Sequence, residues 1–573
     1  MKKLLFILCT TIVLVQCQRK DPQDTVATAV PPDFIKELWY KNSLIYNLDV
    51  KVFKDSDGNG FGDFKGLIQQ LDYLKKLGVD VIWLSPFQPT PDGDDGYDIA
   101  DFYGIDSRIG TRADFEEFMK QAKARNIRVI MDLVINHTSD QHPWFQQARR
   151  DEKSPYRSWY VWSEERPKNW DKGMVFPGVQ KETWSYDKQA KAYYFHRFYN
   201  FQPDLNAQNP AVQLEVRKII GYWLATGMSG FRLDAVPFFI EKVGDDPNDP
   251  EHQFELITQM HQFVQWRKGD AMVLGEANVD PKEQKPYFGE QGTGMQMMFN
   301  FYANQHLFYA LATGELKPFT KALEETKGIP PTAQWAYFLR NHDEIDLGRL
   351  TESQRNKVYD KFGPDKSMQL YDRGIRRRLA SMLGDRQQIE LAYSLLLSMP
   401  GAPAIRYGEE LGMGDDLRLK ERLSVRTPMQ WSTDRNAGFS TASKTVRPVI
   451  SQGPYSYQRV NVVTESQDST SLLNWLTTMI QLRKQHPEIG WGDWNLLDTG
   501  SPSVLAMQYE WQNRSVLMVH NFSKNAQQVQ LQLKKKPVRS LTSLLDKSRQ
   551  QASSNGQYVI ALGKYGYNWY EVK

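Results

Sequence analysis

From Leu44 onward, short apolar runs alternate with segments whose apolar residues recur every three or four positions. The runs at 44–52, 79–84, 129–135, 231–236, 272–276, 295–301, 336–340 and 402–407 have the length of strands. Between them, Leu67, Leu71 and Leu74 follow helical spacing and lead to Gly78, a natural helix stop. Phe115, Phe118 and Ala122 repeat the pattern. Asn209-Pro210 opens another helix, with a stripe of Val212, Val216, Ile219 and Trp223. Strands alternating with helices in this number predict an α/β fold, a (β/α)8 TIM barrel.

Two strand-to-helix connections are too long for simple loops. The segment 138–201, rich in Trp and Tyr, reads as a small domain inserted after strand three. The stretch from Glu409 to about Pro448 reads as a long loop after strand eight. Residues 37–137 and 202–487 then form the barrel, and 488–573 a C-terminal antiparallel β-sandwich of short alternating strands such as 503–509, 515–521 and 527–533.

Composition changes this picture little. The net charge of +3 over 573 residues gives no reason to expect nucleic acid as a partner. Cysteine is more telling, because Cys9 and Cys17 are the only two and both lie near the start. Met1-Lys2-Lys3 precedes an apolar run too short to span a bilayer, so 1–17 reads as an export signal and 18–36 as a polar tether. Leu14-Val15-Gln16-Cys17 resembles a bacterial lipoprotein signal, which implies a lipid on Cys17 and a protein held at a membrane by that anchor alone.

The candidate chemistry sits where strands end, since barrel enzymes gather catalytic groups at the C-terminal ends of their strands. Strand three runs into Asp132 and on to Asn136-His137, strand four into Arg232-Leu233-Asp234, strand five into Glu276, and strand seven into His342-Asp343. Arg232 and Asp234 are two apart on a strand and share a face. Retaining glycoside cleavage needs a carboxylate nucleophile and a carboxylic acid kept protonated, and these residue types supply both.

These segments resemble the signature regions of the α-amylase family of glycoside hydrolases, family thirteen, and the resemblance extends over nearly the whole chain after Trp39. It implies Asp234 as nucleophile, Glu276 as general acid/base and Asp343 as the third carboxylate. It also implies that Asp94, Tyr97, His137, Arg232, His342 and Arg426 bind one terminal glucose of a small α-glucoside.

Asp55-Ser56-Asp57-Gly58-Asn59-Gly60-Phe61-Gly62-Asp63 carries oxygen donors at alternate positions, as an EF-hand loop does at its start. Gly66 stands where an EF-hand needs Glu, so the ring closes early at Asp63. The loop resembles a family calcium loop with ligands Asp55, Asp57, Asn59, the Phe61 carbonyl and Asp63. A second metal set implied by the resemblance comprises Asn136, Asp204, Glu241 and the carbonyls of Phe238 and Phe239.

Within the family, Gln202-Pro203-Asp204-Leu205-Asn206, the run 406–416 and the run 424–439 are similar to those of trehalose synthases, which rejoin the two glucoses of maltose as trehalose. The export signal suits instead an α-glucosidase that trims external α-glucans or maltooligosaccharides. The catalytic residues do not separate the two reactions. A silent sugar-binding lipoprotein on the same fold would be expected to lose carboxylates, and here all three are present.

Overall fold

The computed structural model describes residues 37–242, 250–533, 540–553 and 556–573. The leader and tether read at 1–36 lie outside the described residues. The strands are β1 (Ile45–Leu48), β2 (Val81–Leu84), β3 (Arg128–Leu133), β4 (Gly230–Leu233), β5 (Met272–Gly275), β6 (Met297–Phe299), β7 (Gln334–Phe338) and β8 (Ala402–Arg406). They pair in parallel in chain order, and β8 closes onto β1 to complete the barrel.

Strand parity builds both the core and the site. Ile45, Trp83, Ile130, Leu274, Phe299, Phe338 and Ala404 pack together in one cluster, while their chain neighbours Tyr46, Ile82, Val129, Met131 and Leu133 join the larger cluster beneath the helices. Continuing the inward parity by two residues from Ile130 reaches Asp132, and from Leu274 reaches Glu276. The alternation that fills the barrel with apolar side chains therefore delivers carboxylates at its mouth.

The helices explain themselves locally. Asn209 accepts a hydrogen bond from the Ala211 amide at the start of helix Pro210–Ala225, which buries Val212, Val216, Ile219 and Trp223. Gly78, at φ 102°, ends helix Leu71–Leu77 in the left-handed region. Leu67 belongs to a separate short helix, Phe64–Gln69, because the chain kinks at Gln70.

Between β3 and β4 the chain forms helix Pro143–Arg150 and a three-stranded antiparallel sheet of Trp162–Ser163, Ala192–Phe195 and Trp184–Asp187. A further excursion, not among the two long connections read from the sequence, follows β7. It holds helix Glu352–Phe362 and a small sheet of Ile345–Asp346, Gln369–Leu370 and Gly374–Ile375. Strands of two residues are too short to leave a periodicity. Beyond β8, the segment from Glu409 carries three short 3-10 turns and no strand.

The C-terminal part contains a six-stranded sheet and a two-stranded pair, with Val504, Leu517, Val519, Leu531 and Ile560 among the residues packed in its core. It docks on helix Arg386–Ser398, where Ser394 Oγ accepts from Trp569 Nε1 at 3.0 Å and meets His520 Nε2 at 3.0 Å.

Candidate active site

At the C-terminal mouth of the barrel, Arg232 is the hub. It is 1% exposed and ion-pairs with Asp132 at 3.0 Å, with Glu276 at 2.9 Å and, in a short contact, with Asp234. Glu276 Oε2 also accepts from the Ala235 amide at 3.0 Å. Ala235 has φ 50°, an uncommon value for a residue with a side chain, and there β4 gives way to the short helix Val236–Phe239. The turn leaves Asp234 on Nη1 and Glu276 on Nη2 of a single guanidinium.

Electrostatics separates the carboxyls. Burial pushes Glu276 up to about 7, opposed by Arg232 and reinforced by Asp234 and Asp343. Burial likewise pushes Asp234 up to about 6, with Arg232 restraining the rise. Asp343 goes the other way: burial would raise it, but His342, Arg422, Arg426 and Arg232 hold its carboxyl well below the ordinary range. One group is thus held as acid into neutral pH while another stays ionised.

Tyr97 and His342 form the adjoining wall. Their rings stack at 5.3 Å, the Tyr97 hydroxyl donates to Asp132 at 2.8 Å, and it meets His342 Nε2 at 2.6 Å. His342 Nε2 lies 3.1 Å from Asp343. His137 is held by the Tyr97 carbonyl at 3.0 Å, and burial keeps its ring neutral by lowering its pKa to about 4. A cavity of about 580 Å³ is lined by Asp94, Tyr97, His137, Asp234, Glu276, His342 and Asp343 together with the aromatic rings of Phe176, Phe198, Phe238 and Phe301.

Arg426 occupies a different place from the one its motif suggests. It is 2% exposed behind Asp343, bonding Asp95 at 2.8 Å, the His342 carbonyl at 2.8 Å and Asp343 at 3.2 Å. Arg422 does line the cavity, and it bridges Asp94 and Asp343 at 2.8 Å each. Nothing in the sequence flags Arg422, because its partners are remote in the chain. Asp132 is visible as a strand end, but its role as a partner of Arg232 and Tyr97 emerges only in the fold.

Among the described residues, Asp55, Asp57 and Asp63 place one carboxylate oxygen each within 4.8 Å of one another. Three carboxylate oxygens this close could hold a cation, and all-oxygen donors fit a hard one such as calcium. Asn59 turns its amide toward Asp57 at 3.3 Å and accepts from the Phe61 amide at 2.7 Å. The second expected metal set is built around a guanidinium. Arg197 pairs closely with Glu241, its backbone amide donates to Asp204 at 3.0 Å, and Asn136 donates to Asp204 at 3.1 Å. The Phe238 ring lies 5.2 Å from the same guanidinium, and Phe239 is buried beside it on the short helix.

With this geometry in place, likeness to known proteins decides the family. The model of the α-amylase catalytic domain matches residues 48–363 and 367–492, and that of the sucrose hydrolase-like C-terminal domain matches 514–571. The chain belongs to the α-amylase family. A trehalose synthase/amylase of Mycobacterium tuberculosis is 40% identical over 555 residues, covering 95% of this chain and 92% of the relative. The oligo-1,6-glucosidase of Parageobacillus thermoglucosidasius is 32% identical, covering 85% and 91%. Among solved structures, the isomaltulose synthase of Klebsiella sp. LX3 superposes with a TM-score of 0.75 at 26% identity, covering 93% of this chain and 99% of that one. In this α-amylase family enzyme, the strand ends of the barrel carry the family's signature positions.

Proposed function

We propose that this enzyme isomerises maltose to trehalose through a covalent glucosyl intermediate. The observation that favours isomerisation is the 40% identity to a trehalose synthase/amylase over 95% of the chain, and the groups that would carry it are Asp234 and Glu276 on one buried arginine, with Asp343, at the cavity. The Asp234 carboxylate attacks the anomeric carbon, the glycosidic bond breaks, and Glu276 gives its proton to the departing oxygen. The freed glucose stays enclosed and turns its own anomeric hydroxyl toward the ester. Glu276, now a carboxylate, takes the proton of that anomeric hydroxyl, its oxygen bonds to the anomeric carbon held on Asp234, and the bond from that carbon to Asp234 breaks, freeing the carboxylate. Tyr97, His137 and His342 hold the first glucose, and the Asp94–Arg422–Asp343 chain closes its far end, so only a terminal unit fits.

Hydrolysis differs only in that water takes the acceptor's place, and the likeness to an oligo-1,6-glucosidase favours it as the second reading. Incubating the purified protein with maltose and separating the products tests both. Trehalose with little glucose supports isomerisation; glucose alone replaces it with an α-glucosidase.

The Asp55–Asp63 loop is proposed as a structural calcium site. Chelator is expected to lower the melting temperature by at least ~2 °C, because a ligand of the folded state is withdrawn. An unchanged melting curve, with no metal found by elemental analysis, rules the site out. We also read Cys17 as lipidated after export, which the mass of the N-terminal peptide of the mature protein decides.

A further inference from the structure

We propose that the face of the barrel opposite the active-site mouth, around Trp39 and Trp266, rests on the surface of an anionic phospholipid bilayer. The proposal builds on the reading of Cys17 as lipidated and adds to it a second contact and an orientation.

Trp266 is 76% exposed, the highest value among the large apolar side chains of the described residues. It stands at the end of helix Glu255–Arg267, just ahead of β5, and so at the N-terminal end of the barrel. Trp39 lies on the same face. Its Nε1 donates to the Asp270 carbonyl at 2.8 Å, two residues before β5 begins, and Arg128, the first residue of β3, sits 4.6 Å over its ring. Further round, Lys41 bonds the carbonyls of Pro331 and Ala333, just before β7, at 2.6 and 3.2 Å. The same lysine lies 5.4 Å from the Trp491 ring. These groups all gather where strands start, whereas the catalytic carboxyls gather where strands end.

An indole left in water is unfavourable, and at a bilayer interface its ring meets apolar chains while its N–H stays wet. Cations flank this one. Arg267 follows it directly and lies 5.7 Å from its ring. Lys268 comes next, holds the carbonyls of Gly227 and Met228 at 3.2 and 2.7 Å, and feels Arg128 and Lys123 as like charges. Asp270, paired with Arg128 at 2.8 Å, offsets one of these four cations. The positive surface that is left complements anionic headgroups. The chain supplies an independent reason. The described residues begin at Glu37, two before Trp39, so the segment that follows Cys17 joins the protein on this face. Among the described residues no helix is long and apolar enough to cross a membrane, so the contact is peripheral. With this face down, the cavity that holds Asp234 and Glu276 points away from the bilayer, toward dissolved substrate.

The test reconstitutes the full protein with vesicles of acyl-brominated phosphatidylcholine mixed with an equal amount of phosphatidylglycerol, and follows tryptophan emission. Bromine quenches those indoles that reach the bilayer. Wild type is expected to lose part of its emission relative to unbrominated vesicles of the same composition, and Trp266→Phe to show about half of that quenching or less. No quenching of wild type, or equal quenching in Trp266→Phe, overturns the docked face. The mass of the N-terminal peptide decides the anchor separately. A lipidated Cys17 without quenching keeps the anchor and discards the docking. An unlipidated Cys17 discards the anchor; the docking then stands if the same vesicles still quench Trp266 and falls if they do not.

Discussion

Asp234→Ala is expected to lose turnover of maltose by at least ~10³-fold, since removing a covalent nucleophile forfeits the whole two-step route. The fold is expected to survive. Arg232 would still hold Asp132 and Glu276, so the truncation does not leave its buried charge unpaired. Loss of rate with a melting temperature within a few degrees of wild type therefore separates a chemical role from a structural one. Equal rates for variant and wild type, measured as product release from maltose, would remove Asp234 from the mechanism.

Glu276→Gln is expected to slow cleavage by at least ~10²-fold through loss of general acid catalysis. Its second signature is in the pH profile. On the proposed mechanism the active form has Asp234 ionised and Glu276 protonated. Activity should therefore rise as pH passes the Asp234 value of about 6, and fall as it passes the Glu276 value of about 7. Because the two values are close, the maximum is a narrow one between them. The amide cannot ionise, so the residual activity of Glu276→Gln should keep the acid limb and lose the alkaline one. An alkaline limb that persists unchanged in the variant would assign it to another group.

Both predictions rest on residues that sequence reasoning reaches, and the reason is locality. Arg232 and Asp234 share a face because strands alternate, and Glu276 follows Leu274 on the inward side of its strand. The excursion after β7 escaped detection for the opposite reason: its sheet is made of two-residue strands with no pattern of their own.

What the sequence by itself determined is whatever a few neighbouring residues decide: eight strands, their inward parity, the carboxylates at their ends and the oxygen-rich loop from Asp55 to Asp63. Tertiary structure decided the partners. It set Arg422, not Arg426, on the cavity by joining it to Asp94 across 328 residues of chain. It gave Glu241 the guanidinium of Arg197, and it gathered Arg340, Arg378 and Arg406 from separate elements into one buried cluster. Ion pairs between remote residues depend on closing the whole barrel and on desolvating both partners together, and neither condition is written in any local stretch.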